Sequence, residues 1–255
     1  ITIHDLIHEK YNLNDKQFPK NKLLDNAKHI ICVSNETKKD LIDKYSIDQR
    51  KISIVYQGVD NQNSYIEKKD FFILYVGDRK GYKNFENFVK AFGNSAFLKK
   101  NYKLICFGGE KFSYEEKLLF NQLEVKEKIF QEFGNDEYLK KFYQKASLFV
   151  SISLDEGFGL TNLEAMSSGC PVLCSEISVF KEILGDSCEY ADPVNIDSIQ
   201  NKMEKILKSQ NEQKRLIRLG LNKVKNYSWD KCASNTSKIY KRLISEKQLN
   251  FSFSY

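Results

Sequence analysis

The chain has 255 residues, 41% of them hydrophobic, with 40 Lys and Arg against 34 Asp and Glu for a formal net charge of +6. That composition suits one large or two small globular domains and excludes a disordered or fibrous chain. No apolar run approaches the ~18 residues of a membrane span, and no arginine-rich block marks a nucleic-acid site, so neither a spanning helix nor a nucleic-acid partner is expected.

The basic residues are mixed with acids along the chain. They read as a solvated lysine-rich surface, with attraction to an anionic substrate or membrane face as the other reading. Cysteines stand at 32, 106, 170, 174, 188 and 232. None forms a Cys-x-x-Cys pair and several lie in apolar runs, which fits buried free thiols in a reducing compartment. His4, His8 and His29 are the only histidines and none is spaced with a cysteine pair. No metal site is therefore expected.

The opening run Thr2-Ile3-His4-Asp5 reads as the middle or end of a strand. A domain rarely begins there, so an N-terminal truncation is expected. Further strands are predicted at 29–33, 52–56, 71–76, 102–107, 129–133, 148–152 and 171–175. Amphipathic helices fall between them. In 84–92 the apolar residues Phe85, Phe88, Val89 and Phe92 follow the i, i+3, i+4, i+7 rule. Residues 137–146, 197–208 and 229–245 show similar stripes. The polar stretch Asn61–Asp70 reads as a linker, and the last seven residues as a frayed end or a docked surface. Strand and helix alternate at a spacing that means parallel sheet covered on both faces. Ligands of such sheets bind beyond the carboxyl ends of the strands.

Two segments place unusual residues there. In 148–175 a buried strand ends near Ser153. Asp155 and Glu156 follow, then Gly157-Phe158-Gly159, and a helix is expected to open at Thr161. The glycines allow positive φ and close approach of a ligand to the backbone. The helix N-terminus around Phe158, Gly159 and Leu160 offers N–H groups and partial positive charge to a phosphate. Glu156 and Glu164 can accept hydrogen bonds from the paired hydroxyls of a sugar or ribose. Thr161-x-x-Glu164 is also a capping box, which alone could account for Glu164.

In 73–92 a strand ends at Gly77, which permits close backbone approach. Arg79 and Lys83 follow four residues apart, placed to meet a diphosphate from one side, Arg as a fork and Lys as a point charge. A plain surface lysine is the other reading of Lys83. Gly108-Gly109, after another strand, borders a nucleotide or makes a simple turn.

Glu156-Gly-Phe-Gly followed by Glu164, with seven residues between the glutamates, resembles the Glu-x7-Glu motif of glycosyltransferase family 4. The segments YVGDRKGYKN, ICVSNETKKDL with VYQGVD, and YSWDKCAS are also similar to that family, and the resemblance covers nearly the whole chain. Ile152 and Thr161 stand where the family often has proline. The resemblance implies a GT-B type α/β fold. A truncated remnant of an N-terminal, acceptor-binding Rossmann-like domain would occupy 1–62, and a Rossmann-like parallel-sheet donor domain 63–228. A C-terminal helix and tail, 229–255, would cross back to the first domain.

It also implies a retaining, metal-independent transferase of polysaccharide biosynthesis, hexosyl- or mannosyltransferase-like and cytoplasmic. Its partners would be a nucleotide-sugar donor and a glycan or lipid-linked acceptor, with peripheral contact at the inner membrane face left open. No cofactor is implied. Arg79 and Lys83 would neutralise the leaving diphosphate, and backbone N–H groups of Phe158, Gly159 and Leu160 would add hydrogen bonds. Glu164 would hold the ribose and Glu156 a hydroxyl of the transferred sugar. His4, with Asp5, would face the cleft from the first domain, unless it merely caps a strand end. His8 and His29 read as structural. A module that binds sugar nucleotides without transfer, or another GT-B enzyme such as an epimerase, remains the alternative.

Overall fold

The computed structural model describes residues 1–11, 20–60, 66 and 68–252, with 246–252 described by backbone alone. The first part runs β1 (Thr2–Ile3), α1 (Ile7–Lys10), α2 (Lys20–Asn26), β2 (Ile30–Cys32), α3 (Asn35–Tyr45) and β3 (Ile52–Ile54). The second part begins with β4 (Asp70–Val76), α4 (Phe85–Asn94), α5 (Ala96–Asn101), β5 (Lys103–Phe107), α6 (Tyr114–Gln122) and β6 (Ile129–Glu132). It continues with α7 (Asp136–Lys145), β7 (Ala146–Ser151), α8 (Leu160–Ser167), β8 (Val172–Ser175), α9 (Ser178–Leu184) and β9 (Glu189–Ala191). Three helices close the chain: α10 (Ile196–Leu207), α11 (Gln210–Lys223) and α12 (Trp229–Ser252).

The strands form two parallel sheets, ordered β1-β2-β3 and β6-β5-β4-β7-β8-β9. The chain builds outward from β4 through β5 to β6, then restarts on the other side with β7, β8 and β9. Strand order therefore reverses between β4 and β7. That reversal parts the loops at the carboxyl ends of these two strands and opens a crevice. The loops in question carry residues 77–84 and 152–159, the two segments singled out by sequence.

The central strands of the large sheet are buried on both faces because most of their residues are apolar. In β4, Ile73 and Tyr75 face α4 and α10, packing with Phe88, Phe92 and Met203. Phe72 and Leu74 face the other way, into a layer with Leu163 and Met166 of α8 and Phe180 and Ile183 of α9. Phe88, Phe92, Phe149 and Phe180 are fully buried, and each such side chain contributes roughly 1.5–3 kcal/mol by leaving water. α12 returns to the small sheet, where Ile239 packs on Ile31 and Val55.

Strands were expected at the seven positions where β2 through β8 lie. β9 escaped prediction. It is three residues long and contains Glu189, whose buried carboxylate takes hydrogen bonds from Lys202 (2.6 Å) and Lys205 (2.9 Å). Such pairing makes a buried carboxylate tolerable, but the pattern is invisible in a three-residue window. Residues 249–252 continue α12, while 253–255 and most of the expected linker at 61–70 lie outside the described residues. All six cysteines are free and five are buried. Among the described residues no helix is long and apolar enough to cross a membrane.

Candidate active site

The β7–α8 connection is set by two glycines with different tasks. Gly159 has φ +89° and is the N-cap of α8. A Cβ there would meet the Phe180 ring at 2.5 Å, so both backbone and packing demand glycine. Gly157 has an ordinary φ. Its reason is space, since a Cβ would lie 2.1 Å from the His4 carbonyl oxygen across the crevice. The expectation that both glycines serve positive φ is corrected accordingly.

α8 opens at Leu160, one residue before the expected Thr161. No side chain caps it, so the capping-box reading of Glu164 fails. Glu164 stands in the second turn, and its Oε2 accepts the Tyr143 hydroxyl at 3.1 Å. Among the described residues no acceptor meets the N–H of Leu160 or Thr161. These groups carry the positive end of the helix dipole, in the loop that follows β7. The Phe158 side chain turns inward and packs on Tyr56 and Tyr227 with centroids 6.1 and 6.0 Å away.

Glu156 and Lys83 meet. Lys83 Nζ lies 2.7 Å from Glu156 Oε1, and the Ser153 hydroxyl donates to the same oxygen at 2.8 Å. Glu156 Oε2 has no hydrogen-bond partner among the described residues. The Leu154 N–H donates to the Tyr82 carbonyl at 2.7 Å, so backbone also ties the two loops. Burial disfavours the Lys83 ammonium, but Glu156 and the Tyr82 hydroxyl outweigh it and leave its pKa above the ordinary lysine value. Glu164 shifts upward as well, chiefly because burial penalises its charge, with Asp136 and Asp60 adding to the shift against the Tyr143 hydrogen bond. Glu164 lines a cleft of about 140 Å3 with Gly58, Asp60, Asp136, Leu160 and Trp229.

Arg79 does not join Lys83. Its side chain is 4% exposed and its Nε donates to Glu116 Oε1 at 2.6 Å. Nη1 and Nη2 donate to the carbonyls of Gly108 and Glu110, and the guanidinium lies 4.7 Å from the Phe112 ring centroid. The turn at Gly77, with φ +106°, sends Asp78 and Arg79 toward α6. There Glu116, which also closes the capping box of α6 on Ser113, captures the fork. The expected diphosphate clamp of Arg79 with Lys83 is therefore corrected: Arg79 staples the loops after β4 and β5. The cavity of about 340 Å3 beside it sets Asp78, Glu86, Glu110, Glu115 and Glu116 against Arg79, Lys80 and Lys111, a lining with more acids than bases.

Gly77 itself has open space where a Cβ would stand. His4 is exposed at the end of β1, its Nδ1 3.1 Å from Gln57 Nε2, and it faces the Gly157 loop from the first sheet. His29 Nε2 lies 2.8 Å from Ser53 Oγ, within the small sheet. Among the described residues no three His, Cys, Asp or Glu side chains converge as a metal ion would need. Sequence reasoning missed Ser153 and Tyr143. The tyrosine was read as core from its helical stripe, and only its hydroxyl, a polar end on an apolar body, hinted otherwise.

Comparison with known proteins agrees with this layout. Residues 58–222 match the family model described as glycosyl transferases group 1, and residues 1–63 match that of Glycosyltransferase Family 4. The chain is 34% identical over 185 residues to O-antigen chain mannosyltransferase RfbU of Salmonella typhimurium, covering 71% of this chain and 51% of that protein. It is 28% identical over 269 residues to O-antigen chain mannosyltransferase B of Escherichia coli, covering 95% and 70%. It thus spans about half the length of the Salmonella relative. Sucrose-phosphate synthase from Thermosynechococcus elongatus superposes with a TM-score of 0.80 at 21% identity, over 96% of this chain and 67% of that one. That likeness bears on the fold, which is of the GT-B type expected from the sequence. With a family model spanning well over half of its residues, and with the two loops of the topological switch point carrying the motif residues, the chain belongs to the glycosyl transferases group 1.

Proposed function

We propose that the chain binds a nucleoside-diphosphate sugar in the crevice between β4 and β7 and serves a retaining, metal-independent glycosyl transfer to a saccharide or lipid-linked acceptor. The names of the two O-antigen mannosyltransferases support a mannosyl or related hexosyl donor and a polysaccharide product. The observation that carries the reading is the Lys83–Glu156 contact of 2.7 Å beside the uncapped start of α8. It gathers a cation, free N–H groups and a carboxylate with one unoccupied oxygen at a single strand reversal.

In this reading the diphosphate takes the Leu160 and Thr161 N–H groups and shares the Lys83 ammonium with Glu156. Charge developing on the leaving diphosphate is stabilised by groups already in place, which is where such sites gain most of their rate. Glu156 Oε2 accepts a hydroxyl of the sugar, and Glu164 accepts the ribose hydroxyls. As the diphosphate departs, the sugar carbon becomes oxocarbenium-like and the acceptor adds from the same face. His4 borders the donor sugar from the first sheet. Arg79 supports the site by fixing the loops rather than by touching the ligand. The buried free thiols fit a reducing, cytoplasmic setting.

The test is calorimetry of this chain with UDP-, GDP- and ADP-sugars, beside a transfer assay on the full-length enzyme with and without EDTA and anomeric analysis of the product. Binding without transfer by the full-length enzyme would support the binding-only alternative. Transfer abolished by EDTA, or an inverted product, would remove those parts of the proposal.

A further inference from the structure

The residues on either side of Glu156, Asp155 and Gly157, are held by residues of the first sheet region. Lys10 Nζ lies 2.9 Å from Asp155 Oδ2 and 2.5 Å from Asp40 Oδ2. On the other flank, the Ser34 hydroxyl donates to the Gly157 carbonyl at 2.7 Å. Ser34 is fully buried and has one proton to give. Its oxygen meanwhile accepts the Thr37 N–H at 3.1 Å as the N-cap of α3. The Thr37 hydroxyl reaches the carbonyls of His4 at 3.2 Å and Gly157 at 3.3 Å. No slack remains, because the Gly157 backbone already touches the His4 carbonyl.

The same helix start is held by the second sheet region. Glu182 of α9 accepts the Asn35 N–H at 2.8 Å, the Asn35 side-chain amide at 2.9 Å and the Tyr56 hydroxyl at 2.9 Å. Thus α3 is docked by Glu182, and from that docked position Ser34 and Thr37 reach across to Gly157.

We infer that Lys10, Ser34 and Thr37 are positioning residues for Glu156, so that the carboxylate reaches its working place only while the two sheets are docked. Within the large sheet alone, Glu156 has Ser153 and Lys83 to orient it, while its neighbours Asp155 and Gly157 lose the partners named above. Docking therefore sets where Oε2 points, whereas the diphosphate-facing groups, Lys83 and the start of α8, are carried by the loops of the large sheet. The inference rests on the reading of Glu156 as the sugar-facing carboxylate.

The experiment is a double-mutant cycle on the full-length enzyme, combining Ser34→Ala with Glu156→Gln and measuring kcat, KM for the nucleotide sugar and affinity for the plain nucleoside diphosphate. Ser34→Ala alone should lower kcat at least tenfold and leave nucleoside-diphosphate affinity within twofold. In the Glu156→Gln background it should add little, since the group it positions is already disabled. Lys10→Met, on a partly exposed side chain, repeats the cycle should Ser34→Ala fail to fold. Thr37→Val should act like Ser34→Ala, and Thr37→Ser should restore the rate. Fully additive losses, or diphosphate affinity falling together with kcat, would overturn the positioning role. A silent Glu156→Gln would instead overturn the reading of the site itself, and the two failures are distinct.

Discussion

Lys83 and Glu156 lie 73 residues apart in sequence and 2.7 Å apart in space. They leave the carboxyl ends of β4 and β7, the two strands between which the order of the sheet reverses. The carboxylate holds the ammonium and its loop in position and is itself held by the Ser153 hydroxyl. A diphosphate then finds a cation whose place is already fixed.

Replacing Lys83 with Ala removes that cation and leaves Glu156 with only Ser153. Nucleoside-diphosphate affinity should fall roughly ten- to hundredfold, from the ~1.5–3 kcal/mol carried by a hydrogen bond to a charged group. Titration calorimetry with UDP and GDP measures this. Unchanged affinity would remove Lys83 from the site.

Glu164 gives the site a pH signature. Its pKa is raised above the ordinary glutamate value, first by burial. Hydroxyl donors need the ionised form, so nucleotide affinity should weaken on acidification starting above pH 4.5, and Glu164→Gln should erase that dependence. Stability runs the other way. A carboxyl whose folded pKa is raised contributes stability that is complete below its unfolded value and lost as pH rises through the folded one. Glu164→Gln should therefore melt higher than the parent at pH 7 and level with it near pH 4. Equal melting shifts at both pH values would contradict this assignment.

Arg79 should behave as a structural residue. Arg79→Ala leaves the Glu116 carboxylate with the Ser113 N–H and the Gly108 and Glu110 carbonyls with Gln131, and removing one partner of a largely buried ion pair costs up to roughly 3–5 kcal/mol. Arg79→Lys keeps the charge but loses the fork, so it too should unfold earlier in urea. A variant of normal stability with weakened diphosphate binding would return Arg79 to the ligand.

Gly157→Ala places a methyl 2.1 Å from the His4 carbonyl. Overpacking of this kind costs roughly 1–3 kcal/mol, and here the strain falls on the contact between the sheets. Chemical denaturation should show the loss. An unchanged midpoint would mean the His4 strand end yields freely.

Much of the fold was legible because parallel strands buried on both faces announce themselves as short apolar runs, as in FFILYV and LFVS. The loop positions of Glu156 and Lys83 were legible because they follow such runs within a few residues. Arg79 was misread since its direction depends on Glu116, 37 positions later, and no local pattern records that pairing. Tyr143 and Ser153 were missed because a core stripe and a strand end conceal their hydroxyls. The partners of Asp155 and Gly157 were unreadable for a topological reason: they come from Lys10, Ser34 and Thr37, more than 100 residues away.

The backbone passes between the two sheets twice, once after β3 and once before α12, and the passages touch. The Val59 N–H donates to the Tyr227 carbonyl, and a Cβ on Gly58 would stand 2.2 Å from the Trp229 nitrogen. The two crossings thus meet at one seam, which fixes where the first sheet stands against the second at that point. Less orientational freedom is then left to lose when the sheets come together on a ligand.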